Sequence, residues 1–407
     1  MAIIVQKFGG TSVADNHHLV NVAKKAINFY KKGNDVIVVV SAQGDTTDEL
    51  IEKAEKVGNL ISSREMDMLL SVGEQISASL LAMTIENMGV PAISLTGWQA
   101  GFETTSDYGD ARIKNINTER INSELSKKKI VVITGFQGIN SKGDITTLGR
   151  GGSDTSAVAI AGAMKADVCK IYTDVDGVYT ADPRIVSCAR KLENISYEEM
   201  FKLSYLGAQV LNDVSIETAR KYGVEVEVLS SMKPDPKGTI IKNKSLKDIN
   251  QISGIAVKKD MVKVIISGVK ETKKLRDEIF PRLVSGKFIK DPDLRVTGQN
   301  SDELLVFLSE ESKINSLIKL LEDLLKSYEK AEIFYEKNKS EISVVNLSES
   351  LNINIASIVF ETLNEENINI EMAVCDNSRI SVVIDDENIY RCVNSIHNKI
   401  FEEDYLI

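Results

Sequence analysis

TLGRGGSDTSA, residues 147–157, opens a helix on glycine: Gly149, Gly151 and Gly152 precede Ser153 at an N-cap position, and the apolar Val158 and Ile160 follow. A glycine-rich turn at a helix start offers free backbone N–H donors and the positive end of the helix dipole, so the segment suits an anion. Arg150 adds a planar guanidinium matched to a carboxylate or a phosphate. Asp154 falls in the first helical turn, where the dipole alone favours an acid. Around this turn, the β-branched runs 3–5, 36–40, 130–134, 168–172 and 224–229 alternate with helical stretches at 19–32, 66–87 and 153–166. Strands without polar alternation, separated by helices, predict an α/β domain with a mainly parallel sheet covered by helices on both faces. Ligands of such sheets lie beyond the carboxyl ends of the strands, where the glycine-rich turns fall.

Two more turns carry related chemistry. In KFGGTS, residues 7–12, Gly9 and Gly10 remove the side chains that would hold a phosphate away from backbone N–H groups, and Lys7 adds a compact positive charge. The lysine precedes the glycines, so this is not the G-x-x-x-x-G-K-[ST] phosphate loop, and a plain strand-to-helix turn with a solvated lysine reads the same way. YTDVDGVYTADPR, residues 172–184, begins like a calcium loop at Asp174, Asp176 and Gly177, but Ile185 stands where such a loop needs its closing glutamate, which excludes calcium. Acids and hydroxyls at a strand end suit the ribose and base of a nucleotide, with Arg184 reaching a phosphate.

Composition narrows the function. The 49 Lys and Arg against 59 Asp and Glu give a net charge of −10, the wrong sign for a chain whose main partner is nucleic acid or an anionic membrane. Cys169, Cys188, Cys375 and Cys392 have no paired spacing, which argues against a disulfide framework or a zinc site and fits a cytoplasmic setting. Three histidines, His17, His18 and His397, leave little material for a histidine-based triad or metal centre. Lys24 and Lys25 read as part of a solvated helix face. No secretory leader is expected from residues 2–7, and no apolar run approaches the ~20 residues of a membrane span.

Of the 25 glycines, 21 lie between Gly9 and Gly238, so the remainder of the chain has another task. From about Lys247 the pattern becomes strand, helix, strand, strand, helix, strand and then repeats, which predicts two α+β ferredoxin-like βαββαβ units. The expected division is 1–246, 247–336 and 337–407, with 234–248 as a charged linker. Sheets of this kind expose edges and tend to pair, so a homodimer or higher homo-oligomer is expected.

The blocks 41–50, 71–81, 94–105, 131–159 and 170–184, taken in order with KFGGTS, resemble the aspartate kinases of the amino acid kinase family, and the tail resembles the paired ACT domains through which that family senses amino acids. The resemblance implies the amino acid kinase fold and transfer of the γ-phosphoryl group of MgATP to the β-carboxylate of L-aspartate, with Mg²⁺ bound through the ATP phosphates and no resident metal. By position in the motifs, Lys7 would contact the transferring group, Asp154 would orient Lys7, and Gly9 and Gly10 would carry donors to the phosphates. Arg150 would clamp a carboxylate of L-aspartate, Glu74 would take its ammonium group, and Ser41, Thr47 and Ser153 would complete the substrate site. Thr173, Asp174, Tyr179, Arg184 and Lys233 would hold ATP. Without the resemblance, Glu74 reads equally well as an ordinary buried acid. Two alternatives stand beside this reading: a relative acting on another small acceptor, and a non-catalytic amino-acid sensor.

The tail departs from the family at two turns. Residues 269–280 carry neither the usual Pro nor Gly before the helix, and 344–351, VVNLSESL, lack the usual glycines. An effector's carboxylate needs backbone donors unobstructed by side chains, so weak or absent control by lysine or threonine is expected.

Overall fold

The computed structural model describes residues 2–58, 60–233, 237–243, 252–269, 272–289, 295–297, 304–328, 330–346 and 352–401. The chain divides into two compact units, Met1–Thr180 with Arg190–Ile249, and Ala181–Ala189 with Asn250–Ile407.

In the first unit an eight-stranded sheet runs, edge to edge, Asn194–Ser196, Thr239–Lys242, Val226–Ser230, Val168–Thr173, Ile3–Phe8, Asp35–Val40, Ile130–Thr134, Ala92–Leu95. Its pairs are parallel except Val226–Ser230 with Thr239–Lys242. Residues Val36 to Val40 are fully buried, as a strand covered on both faces requires. Alternation along Ile3–Phe8 assigns the faces. Phe8 packs with Leu19, Val22 and Ala23 of the helix Asn16–Lys31 and with Ala78, Leu81 and Ile85 of the helix Val72–Asn87. Lys7, one residue earlier, points the other way to the helix Gly152–Ala163. The expected flanked, mostly parallel sheet is present. A second, four-stranded sheet, Ile113–Ile116, Phe102–Thr104, Gln137–Ile139, Ile145–Thr147, lies in the same unit.

Two expectations for this unit need correction. The helical run Ser63–Asn87 is long and apolar enough to cross a membrane by length and composition. Half of its apolar 18-residue window is buried inside the protein, and it also buries Asp67 and Glu74, so it reads as a core element. The stretch 234–248, expected as a linker, contributes the strand Thr239–Lys242. Its Thr239 side chain, fully buried, accepts from Val178 N at 2.8 Å and donates to Leu192 O at 2.6 Å, which holds the strand in the sheet.

The second unit holds a six-stranded antiparallel sheet in the order Arg295–Thr297, Leu304–Glu310, Ile252–Ser267, Glu332–Asn346, Arg379–Asp385, Met372–Cys375. Two helix-covered cores lie along it. One gathers Val262, Val264, Phe307, Leu317 and Leu321, and the other Ile342, Val344, Val359, Val382 and Ile396. The two long strands run through both: residues 252–258 pair with 341–346 beside the second core, and 261–267 with 332–339 beside the first. A division at 336/337 therefore cuts the strand Glu332–Asn346, and the half-sheet of the second core draws a strand from ahead of the first. The reason is local. Lys258, Lys259 and Asp260 interrupt the apolar pattern, but in the structure they only bulge the ladder, with Asp260 at φ 57°. The turn residues 270–271 and 347–351, on which the effector expectation rests, lie outside the described residues.

Candidate functional site

Three turns at strand ends in the first unit carry most of the expected site. In the first, Lys7 Nζ lies 2.6 Å from Asp154 Oδ1, with both side chains nearly buried. The ion pair ties the central strand to the first turn of the helix Gly152–Ala163. Gly9 and Gly10 do different work there. A Cβ on Gly10 would sit 2.7 Å from Ala42 O and 3.2 Å from Gly44 O, so only glycine lets residues 42–44 close in. Gly44 N donates to Gly10 O at 3.1 Å, and Ser41 N to Phe8 O at 3.1 Å. A Cβ on Gly9 would instead stand 3.6 Å from Lys7 Nζ, beside the charge.

The loop after Val40 also meets Glu74. Ala42 N donates to Glu74 Oε1 at 3.1 Å, while Oε2, buried, has no partner among the described residues. Burial pushes the Glu74 carboxyl up to about 8, so in the unliganded protein it is mostly protonated at neutral pH. Gly73 is needed for the same approach, since a Cβ there would lie 2.8 Å from Ala42 Cβ. Thr47 is half-buried in the helix Thr46–Glu55 that follows this loop.

At the second turn the expected cap is corrected. Gly151, not Ser153, caps the helix, with left-handed φ 69°, and Ser153 lies buried in its first turn. The backbone rather than a hydroxyl ends the turn, because Asp154 N and Thr155 N both donate to Gly151 O. A Cβ on Gly151 would collide with Asn212, whose Nδ2 donates to Arg150 O at 3.0 Å. Arg150 itself is exposed. Asn212, which sequence reasoning missed, therefore braces the arginine turn from the start of the helix Asp213–Tyr222.

The third turn centres on Asp176, weighed in the sequence only as a calcium ligand. Its carboxylate accepts from Lys233 Nζ at 2.5 Å and Tyr179 OH at 2.6 Å, with Lys191 Nζ at 3.6 Å. The Lys233 and Tyr179 bonds hold Asp176 down at about 2, and the same contact pushes the Tyr179 phenol up to about 12. Two expected nucleotide contacts thus meet through an acid not assigned to the site. Thr173 Oγ1 donates to Asp174 Oδ1 at 2.9 Å. Lys25, expected on a solvated face, donates to Lys233 O at 2.6 Å and stands 5.4 Å from the centre of the Tyr172 ring. Arg184 belongs to the segment counted with the second unit, and its guanidinium is held by Asp182 at 2.8 Å.

Among the described residues, Asp15, His17 and His18 bring three donor atoms within 4.8 Å of one another. That group is an exposed helix start, as expected of the histidines, in which Asp15 already accepts from His18 N at 2.9 Å as the N-cap.

Residues 2–230 match the model of the amino acid kinase family, and residues 342–400 match that of an ACT domain. Over 398 residues the chain is 44% identical to the aspartokinase of Geobacillus stearothermophilus, an alignment covering 98% of this chain and 97% of that one. Among solved structures, Escherichia coli aspartokinase III in complex with aspartate and ADP (R-state) matches with a TM-score of 0.81 at 24% identity, over 98% of this chain and 100% of that one. The same enzyme in complex with lysine and aspartate (T-state) matches with a TM-score of 0.75 at 24% identity and the same coverage. Those two structures speak for the fold, and the near full-length identity to the Geobacillus protein speaks for the family. This chain belongs to the aspartokinases of the amino acid kinase family.

Proposed function

We propose that the chain transfers the γ-phosphoryl group of MgATP to the β-carboxylate of L-aspartate, giving 4-phospho-L-aspartate, the first step toward the aspartate-derived amino acids. The observation that carries this reading is Glu74: a buried carboxyl of the helix Val72–Asn87, one oxygen bound by Ala42 N from the loop that Gly10 closes against the Lys7 turn and the other without a partner among the described residues. An ammonium group is the ligand that such an oxygen lacks. Arg150 would take the carboxylate of the same amino acid, with Ser41, Thr47 and Ser153 around it.

The acceptor carboxylate has an ordinary pKa of ~4 and is ionised at neutral pH, so no base is needed to activate it. What the reaction needs is neutralisation and alignment of two anions. Lys7 would meet the transferring phosphoryl group, held in place by Asp154, and Gly9 and Gly10 would carry backbone donors to the phosphates. Thr173, Asp174, Tyr179 and Lys233 would hold the nucleotide, with Arg184 as a further phosphate contact. Mg²⁺ would arrive on the ATP phosphates. The donor set favours that, since Asp154 is committed to Lys7, and Asp176 to Lys233 and Tyr179. In this reading the protein works in the cytoplasm, where its four free cysteines suit a reducing medium, and it assembles as a homodimer or higher homo-oligomer without nucleic acid or membrane. The ACT region would take an amino-acid effector.

Incubation with ATP, Mg²⁺, L-aspartate and hydroxylamine should yield aspartyl hydroxamate. Product no greater than in the control without ATP would end the reading.

The state of Glu74 sets a pH dependence. A cation binds the ionised carboxyl, so L-aspartate binding must expel the Glu74 proton below pH 8, and affinity should rise with pH by up to about tenfold per unit before levelling off. In the unliganded protein the raised value works the other way. Folding loses stability as pH climbs from 4.5 towards about 8, because only the folded state holds the proton there. Glu74→Gln should therefore raise the KM for L-aspartate, flatten its pH profile, and melt higher than wild type at pH 8 while matching it near pH 4.5. A flat wild-type KM profile between pH 6 and 8 would contradict the assignment.

Control by lysine or threonine is expected to be weak, since the turns at 269–280 and 344–351 carry charged or hydroxyl side chains where an effector needs bare backbone. Titrating the activity with lysine, threonine and both together checks this. Strong inhibition by either at sub-millimolar concentration would show an effector site that those turns do not abolish.

A further inference from the structure

Asp67 takes no part in the chemistry above, yet it is a buried acid with both carboxylate oxygens hydrogen-bonded. It lies in the helix Ser63–Leu70 and is 1% exposed. Oδ2 accepts from Gly109 N and from Thr147 N, both at 3.0 Å, and Oδ1 accepts from Thr147 Oγ1 at 2.7 Å. Burying a carboxylate is costly unless donors replace its water, so a side chain needed only to fill space would be apolar.

The donors come from two segments that meet just before Arg150. Thr147 ends the strand Ile145–Thr147, and Ala111 N donates to Thr147 O at 2.8 Å. Beside Gly109, Asp110 packs against Gly149: a Cβ on Gly149 would stand 3.1 Å from Asp110 Oδ1, and the residue has φ 72°. A second tether lies on the same rung. Gln137 Nε2 donates to Ser71 O at 2.8 Å, both residues buried, and Gln137 pairs with Thr147 across the hairpin. Asp67 and Ser71 are on the helical run that continues to Glu74, whereas Thr147 leads into the turn of Arg150.

We propose that Asp67 is a positioning residue for amino-acid recognition: it fixes the spacing between Glu74 and Arg150, so that one molecule can place its ammonium on the first and its carboxylate on the second. This rests on the reading in which those two residues hold L-aspartate. The nucleotide contacts around Asp176 hang on other elements, so ATP recognition is independent of Asp67.

The test is steady-state kinetics of the full chain carrying Asp67→Asn or Thr147→Val, with both substrates varied. Asn keeps the shape but turns an NH₂ group toward donors, whereas Val removes only the hydroxyl bond. The KM for L-aspartate should rise about tenfold or more in Asp67→Asn and by less in Thr147→Val, with the KM for ATP within twofold of wild type in both. Parallel rises in both KM values, or an unchanged KM for L-aspartate, would overturn the proposal. If Asp67→Asn does not fold, the same split in Thr147→Val decides. A wild type that forms no aspartyl hydroxamate overturns the reading of the function itself, which keeps the two failures apart.

Discussion

The nearly buried ion pair between Lys7 and Asp154 is the constraint around which the first unit is arranged. Removing two charges from water costs more than their attraction needs to return, so such a pair is poor evidence of stabilisation and better evidence of placement. Lys7 can reach Asp154 only because the strand Ile3–Phe8 lies centrally and parallel to its neighbours, and because the helix Gly152–Ala163 begins beside its carboxyl end. That beginning depends in turn on Gly151, whose left-handed backbone starts the helix against Asn212 without room for a side chain. Gly10 makes the matching concession on the other side, admitting residues 42–44 and with them Glu74.

Two carboxyls of this unit are driven in opposite directions by their surroundings. Glu74, buried in a largely apolar helix, is pushed up to about 8, and Asp176, gripped by Lys233 and Tyr179, is held down at about 2. The first is an acid that burial keeps protonated. The second is a fixed anion that organises its neighbours.

Much of this was legible in the sequence, for physical reasons that also mark where legibility stopped. Short apolar β-branched runs such as 36–40 suit strands buried on both faces, and glycines at their ends announce close approach, so the sheet and its three turns could be read directly. Roles that depend on distant partners could not. Asp67 is bonded by Thr147, 80 residues along the chain, and Asp176 by Lys233, 57 residues along, and no local pattern marks either. The helix cap fell to Gly151 rather than Ser153 because Gly151 takes the left-handed conformation at no steric cost. In the second unit, three charged residues at 258–260 look like a strand end, whereas the paired ladder absorbs them as a bulge and carries one strand through two cores.

In the proposed reaction Lys7 and Asp154 act as one device. The direct measurement is a double-mutant cycle on kcat with Lys7→Ala, Asp154→Asn and the pair. Residues that work as a unit lose the same function whichever is removed, so each single change should cost at least about 10²-fold and the double no more than a few-fold beyond either. Losses that multiply in the double variant, or a single variant that keeps near wild-type kcat, would contradict it.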